Sequence, residues 1–271
     1  MPGKEVHLLF LLQKEDFYDM DNMILKSIID QEKYTHKYVP LCLSDLLQAD
    51  KRKDLEEGIP LGTIEFVTDY FRVYWGIKNM NPVEIPPCLR TDEFLKRKYS
   101  IVKGQDIPTE GEFFIKDVSQ LKVFSYAGEL SRFLYDGIFD NPKPYDTSLH
   151  LNKEHLYQVS ELVNIISESR VYIINGEINC IANYNGDPCV FPDCNLIKKA
   201  NLIYSMQRDY PKSYTMDVMV TEKGTSIIEI HVLFSCGLYQ RNLGTGFLYG
   251  YRDSKDYVIN YNTEIQEFSN F

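Results

Sequence analysis

The sequence predicts an α+β protein in which a small α/β unit precedes a larger unit of antiparallel hairpins and helix. Three observations predict it. The first quarter of the chain alternates strand and helix patterns. A proline-rich break follows. Beyond it, short strands pair through tight turns on either side of one amphipathic helix.

Val6 to Leu12 (VHLLFLL) is an unbroken apolar run. It is too short to cross a bilayer, and no small-residue cleavage site follows it. It therefore reads as a buried strand rather than an anchor or signal peptide. From Asp19 to Asp30, Met20, Met23, Ile24, Ser27 and Ile28 recur at spacings of three and four, a helical stripe that Asp19 or Asp21 can cap. Tyr38 to Leu41 reads as a second strand. Thr63 to Gly76 reads as a second helix, with Phe66, Val67, Tyr70, Phe71 and Tyr74 inward. Strand, helix, strand, helix implies a parallel sheet. Pro82, Pro86 and Pro87 then mark a connection across 79–87, with room for a short strand at Val83 to Ile85.

Past this break, Glu112 to Val118, Leu121 to Ser125 and Leu156 to Val163 read as strands. Arg170 to Ile174 and Ile178 to Tyr184 flank Asn175-Gly176. Both turn residues tolerate positive φ, so a hairpin is expected. Cys194 to Arg208 is a helix with Leu196, Ile197, Ala200, Ile203 and Tyr204 inward. Tyr214 to Val220 and Ser226 to Val232 form a second hairpin. The residues after Arg241 show no pattern that places them.

Composition narrows the function. A length of 271 residues suggests about two units. The net charge of −10 disfavours nucleic acid as a partner, and the basic runs at Lys51 to Lys53 and Lys96 to Lys98 read as solvated helix faces. Six irregularly spaced cysteines offer no zinc pattern and read as reduced thiols of a cytoplasmic protein. There is no Gly-x-Ser-x-Gly, no phosphate-loop motif and no His-Glu-x-x-His.

Two carboxylates stand out. Asp217 lies inside YTMDVMV and Glu229 inside SIIEIHV. A charge buried in an apolar strand is costly unless it is paired or bound to a cation. Either both face one magnesium-type site, or each points to solvent from a half-exposed sheet. Lys116 in FFIK, Lys122 in LKVF and Arg170 before VYII likewise interrupt apolar strands. Singly, each can be a snorkelling or salt-bridged side chain. As a set they suit a polyphosphate.

The order of these pieces resembles the ATP-grasp superfamily. Within it, the likeness is to the clade defined by one arginine and two lysines, frequent in phages and bacteria. The carrying segments are FFIKDV, KVFS, YQVSELV, SESRVYII, YTMDV and IIEIHVLFSCGLY, between about Gly111 and Tyr239. The stretch PLGTIEFV at Pro60 to Val67 resembles the small domain that precedes the ATP-grasp unit in this clade. The resemblance implies an ATP-grasp fold over 86–245, a pre-ATP-grasp domain over 1–85 and an extension over 246–271. It implies ATP and magnesium as cofactors, and the cytoplasm of a bacterial or phage-infected cell as location. Carboxylate and amine substrates, peptides among them, are the implied partners, with neither nucleic acid nor membrane. A homodimer is left open.

Residue roles follow from the same resemblance. Lys116 and Lys122 would contact the phosphates. Val159 to Val163, including Glu161, Leu162 and Val163, would form the hinge whose backbone meets the adenine edge, and Glu161 would reach the ribose. Arg170 would face the γ-phosphate, and Asp217 and Glu229 would hold magnesium. Two departures stand against the pattern. His231 occupies the third metal-ligand position, where many relatives carry asparagine, and Tyr126 stands where glycine commonly follows KVFS. Imidazole is a poor magnesium ligand. His231 is therefore a metal ligand, a base or substrate contact, or a structural residue.

The implied reaction is ligation through an acyl phosphate, with Lys122 and Arg170 offsetting charge on the transferring oxygens. Two other classes compete. A phosphotransferase would give a phosphorylated product instead of an amide. A non-catalytic protein with a degraded site would bind nucleotide without turnover.

Overall fold

The computed structural model describes residues 7–14, 20–31, 36–48, 55–77, 80, 84–108, 110–119, 125–129, 152–240, 243–244 and 246–269. These residues form three sheets. The first is parallel, in the order β2-β1-β3, from β1 (Leu8–Gln13), β2 (His36–Leu41) and β3 (Ile59–Leu61). A central parallel strand is covered on both faces, which is why its sequence is continuously apolar. Phe10, Leu11 and Leu12 are fully buried. Around this sheet lie α1 (Met20–Gln31), the short α2 (Leu43–Leu46) and α3 (Ile64–Trp75). Thr63 starts α3 by accepting from the Phe66 N–H at 3.3 Å, and Gly76 ends it at φ 66°.

The second sheet is antiparallel, ordered β4-β7-β5-β6, from β4 (Tyr99–Lys103), β5 (Glu112–Asp117), β6 (Ser125–Glu129) and β7 (Leu156–Glu161). The third is ordered β11-β10-β8-β9, from β8 (Ser167–Ile174), β9 (Glu177–Gly186), β10 (Tyr214–Thr221) and β11 (Gly224–His231). Asn175 and Gly176, at φ 51° and 81°, make the expected turn between β8 and β9. The four-residue α4 (Asp92–Leu95) and α5 (Cys194–Ser205) cover this sheet. Leu196, Ile197, Ala200 and Tyr204 share a core with Val171, Ile173 and Met216. No helix among the described residues is long and apolar enough to cross a membrane.

Several expectations need correction. The segment after Arg241 is not patternless in space. It supplies α6 (Phe247–Ser269), whose Phe247, Leu248, Tyr251 and Val258 enter the core around Phe10 and Phe71. Glu84 and Ile85 are irregular rather than strand, because Pro86 and Pro87 offer no N–H to a ladder and open a single 3-10 turn instead. The helix from Cys194 stops at Ser205, where Gln207 N–H donates to Tyr204 O at 2.9 Å and tightens the chain into a turn. Asp21 lies within the first turn of α1, and its carboxylate accepts from the Leu238 N–H at 3.0 Å. Of the strand expected at Leu121 to Ser125, only Ser125 is described, and it opens β6.

Candidate active site

β8, β10 and β11 are neighbours, and their register lines up three charged residues. Arg170 lies opposite Asp217, and Asp217 lies opposite Glu229. Directly opposed residues of an antiparallel pair share a face. The turn alone would not give this. From Thr221↔Gly224 to Val218↔Ile227 the pairing is regular, and its continuation would set Ile228 against Asp217. The register slips by one between Val218 and Asp217, leaving Ile228 as the extra residue of a bulge. A one-residue slip moves side chains to the other face, so the bulge is what brings Glu229 beside Asp217. His231, two residues on, shares that face.

The contacts are dense. Arg170 donates from Nε and Nη2 to the two oxygens of Asp217, at 2.8 and 2.7 Å, and from Nη1 to the Gly237 carbonyl at 3.0 Å. Its guanidinium also lies over Tyr239 and Tyr184, 4.9 and 5.8 Å from the ring centroids. These two rings stack on each other at 4.8 Å. Tyr184 is itself the extra residue of a bulge, between the pairs Glu168↔Asn185 and Ser169↔Asn183. Lys116, on β5 of the second sheet, pairs with Glu229 of the third, so the cluster lies between two sheets. His231 Nε2 is 2.5 Å from the other Glu229 oxygen.

Burial disfavours charge on Arg170, Asp217 and Glu229, and the pairing opposes it. Desolvation lowers the tendency of Arg170 to stay protonated, yet Asp217 more than restores it and leaves its pKa above the ordinary value. Burial pushes the Asp217 carboxyl up, against the pull of Arg170. Burial also pushes Glu229 up, but His231 and Lys116 outweigh it and hold that carboxyl well below the carboxylate range. One donor atom each from Asp217, Glu229 and His231 lies within 4.8 Å of the others. Two carboxylates and an imidazole make a donor set that fits a divalent cation.

The remaining sequence-predicted residues are placed as follows. Glu161 ends β7, and Leu162 and Val163 begin the connection to β8. The Glu161 carboxylate accepts from Lys98 N–H at 3.2 Å and pairs with Lys223 at 3.6 Å, near the turn end of the β10–β11 hairpin. The Lys98 N–H first, and Lys223 second, hold its pKa below the ordinary value. Leu162 is exposed. Tyr126 lies on β6 opposite Ile115. Lys122 lies outside the described residues.

Sequence reasoning missed Gly237 and Tyr184. Tyr184 carries no charge or motif that would mark it, and Gly237 and Tyr239 only form the Gly-Leu-Tyr end of the last segment of the resemblance, with no role attached to them. It also missed a pocket of about 240 Å³ beside Gly237 and Cys236, walled by Asp21, Gly62 and Thr63 from the amino-terminal unit.

Comparisons with known proteins identify the fold. Among solved structures, a D-alanine–D-alanine ligase from Bacillus anthracis superposes with a TM-score of 0.54 at 10% identity, covering 97% of this chain and 99% of that one. The D-alanyl-alanine synthetase A from Vibrio cholerae gives 0.51 at 10% identity, covering 94% and 99%. A RimK domain ATP-grasp protein from Sphaerobacter thermophilus gives 0.50 at 10% identity, covering 92% and 98%. At such identities the likeness is one of fold. No curated protein matches the chain. The model for the ATP-grasp domain of the clade with one arginine and two lysines, family 2, matches residues 94–244, more than half of the chain. A match of that extent, on this fold, makes the protein a member of the ATP-grasp superfamily, in the second family of that clade.

Proposed function

We propose that this protein is an ATP- and metal-dependent ligase that joins a carboxylate to an amine through an acyl phosphate. The observation that carries the proposal is the charge cluster between the two antiparallel sheets. Lys116 and Arg170 meet Asp217 and Glu229 there, with Arg170 and Asp217 buried and Lys116 and Glu229 half-buried. Carboxylates so placed suit a divalent ion, and cations so placed suit the phosphates that ion accompanies.

The chain's own groups then have definite tasks. The backbone of Val159 to Val163 would receive the adenine edge, where β7 hands over to β8. Lys116 would leave Glu229 for a phosphate oxygen. A substrate carboxylate oxygen attacks the γ-phosphorus and ADP departs, while Arg170 and Lys122 offset the charge on the transferring oxygens. The amine nitrogen then attacks the acyl carbon and phosphate leaves. Magnesium, the expected ion, would be held by Asp217 and Glu229 and would polarise the phosphoryl oxygens. The pocket beside Gly237 is large enough for an amino-acid-sized group, and Asp21 on its wall suits an ammonium. No side-chain nucleophile is required, because positioning and electrostatics carry the reaction.

Hydroxylamine trapping tests this reading. The full chain is incubated with ATP, magnesium, hydroxylamine and pools of amino acids or peptides. A carboxylate-dependent hydroxamate, formed with ADP in equal amount, is the expected result. ADP with a stable phosphorylated product would replace the ligase with a phosphotransferase. Nucleotide binding with no ADP from any pool would replace it with a non-catalytic binding protein.

A further inference from the structure

Gly237 is pinned by its neighbours, yet it carries no side chain. Its carbonyl accepts from Arg170 Nη1 at 3.0 Å and from the Tyr172 hydroxyl at 2.9 Å. The Leu238 N–H donates to Asp21 Oδ2 at 3.0 Å, and the Tyr239 N–H donates to the Tyr172 hydroxyl at 2.9 Å. The Tyr239 ring is steadied by its stacking on Tyr184, and at 49% exposure it still has a surface to offer. Three consecutive residues therefore hold a fixed shape between the pocket of about 240 Å³ and the Arg170 guanidinium.

The fold does not demand a glycine at this position. Its φ lies outside the left-handed region, so the backbone accepts an L side chain. An added Cβ would meet Asp21 Oδ2 at 3.5 Å and Tyr239 Cζ and Oη at 3.7 Å, which are ordinary van der Waals contacts. What a side chain would take away is the gap itself. That gap is flanked by a carboxylate oxygen on one side and a phenol oxygen on the other, and both Asp21 and Gly237 belong to the pocket wall.

We propose that Gly237 is a specificity-determining residue: the gap left by its missing side chain seats the unsubstituted ammonium of a free α-amino acid, and that amino acid is the carboxylate substrate. The proposal rests on the ligase reading above and narrows its substrate from amino acids or peptides to free amino acids.

Charge and hydrogen bonding support an ammonium. Asp21 Oδ2 keeps acceptor capacity beyond the Leu238 N–H, and the Tyr239 hydroxyl oxygen accepts as well. An ammonium brings three donors and the opposite charge. Reach supports an α-amino acid. Its carboxylate is one carbon from its ammonium, so a substrate seated over Gly237 presents that carboxylate toward the Arg170 end of the same segment. Size supports a free one. The pocket is smaller than the roughly 300–1,000 Å³ of sites for drug-sized ligands, and an acyl group on the nitrogen would both remove its charge and overfill the gap. The competing account is that the pocket holds a neutral group and that Asp21 serves only Leu238.

Two measurements on the full chain separate these accounts. Hydroxamate formation with ATP and magnesium is compared for each common amino acid, its Nα-acetyl derivative and peptides blocked at the amino end. Calorimetry with a non-hydrolysable ATP analogue and magnesium reads the binding of the same compounds without turnover. The expected result is that one or a few free amino acids bind and are converted, and that acetylation lowers kcat/KM about a hundredfold or more, because the polar groups of the seat then lose their partner. Gly237→Ala should keep the wild-type thermal midpoint and KM for ATP while raising the amino-acid KM about tenfold or more, and Tyr239→Phe should raise the same KM by a smaller factor. Acetylated or peptide carboxylates converted as readily as free amino acids would overturn the proposal and leave the ligase reading intact. A folded G237A with an unchanged amino-acid KM would do the same. Free amino acids that bind but give no hydroxamate would uphold the seat and overturn the ligase reading, and neither binding nor hydroxamate would overturn both. The wild-type comparison needs no variant, so it decides the matter even where G237A folds poorly.

Discussion

Arg170 commits three N–H donors to Asp217 and Gly237 and presents its face to Tyr239. Removing it would leave a carboxylate that is only 2% exposed without its counter-charge. Breaking one side of such a pair costs about 3–5 kcal/mol, more than the pair contributes net, because the stranded charge stays buried. Arg170→Met is therefore expected to lower the urea unfolding free energy by about that amount. Adding Asp217→Asn to it should recover part of the loss. A single-variant loss under about 1 kcal/mol would show that Asp217 finds water or another partner. At this scale the sequence was informative for a physical reason. Charges inside apolar strands are costly, so Lys116, Arg170, Asp217 and Glu229 were visible against their neighbours. Tyr184 and Gly237 act through a ring face and a backbone carbonyl, and no residue type announces those.

At the scale of elements, two bulges decide what the strands present. Ile228 re-aims Glu229, and Tyr184 is released from the ladder over Arg170. The second bulge is followed by Gly186, at φ 74°, where an added Cβ would lie 2.3 Å from the Ile166 carbonyl oxygen. Neither the dihedral nor the space tolerates a side chain. Gly186→Ala is expected to cost about 2 kcal/mol or more and to lower the thermal midpoint. An unchanged midpoint would mean that the β9 end relaxes away from the segment before β8. The hairpins were legible because they combine alternation with a turn signal at Asn175-Gly176 and a loop at Thr221 to Thr225. β3 was not, since three residues with a central proline are too few for any period. α6 was hidden for another reason. Its inward face runs Phe247, Leu248, Tyr251, Ser254, Lys255, Val258, a helical spacing whose middle is polar. Ser254 accepts from Leu233 N–H, and Lys255 donates to two carbonyls, so each is satisfied only in the assembled fold.

Across the whole molecule, Lys255 ties the last helix to the first unit. Its ammonium donates to the carbonyls of Glu56 and Gly58 and lies 5.5 Å from the ring centroids of Tyr70 and Trp75. Burial lowers its pKa from the ordinary 10.5 to about 8. The folded state then holds fewer protons on this group than the unfolded chain between those two values. Stability linked to Lys255 therefore rises as pH increases from 8 to 10.5, and the burial penalty is fully present below 8. Measured against Lys255→Met, the wild-type unfolding free energy should gain roughly 2 kcal/mol across that window, after a discount for solvent screening. A flat difference between the two proteins would place the ammonium in contact with water.

The sequence by itself determined the α+β fold class and the family, and it singled out Lys116, Arg170, Asp217 and Glu229 as charges inside apolar strands. Periodicity and the cost of burying charge are local properties, and both can be read from neighbours along the chain. Only the tertiary structure decided which of those charges meet. Lys116 and Glu229 belong to different sheets, the Glu229 face depends on one extra residue in a ladder, and Asp21 reaches Leu238 across 217 positions. Such contacts depend on strand register and sheet packing, which no local pattern encodes.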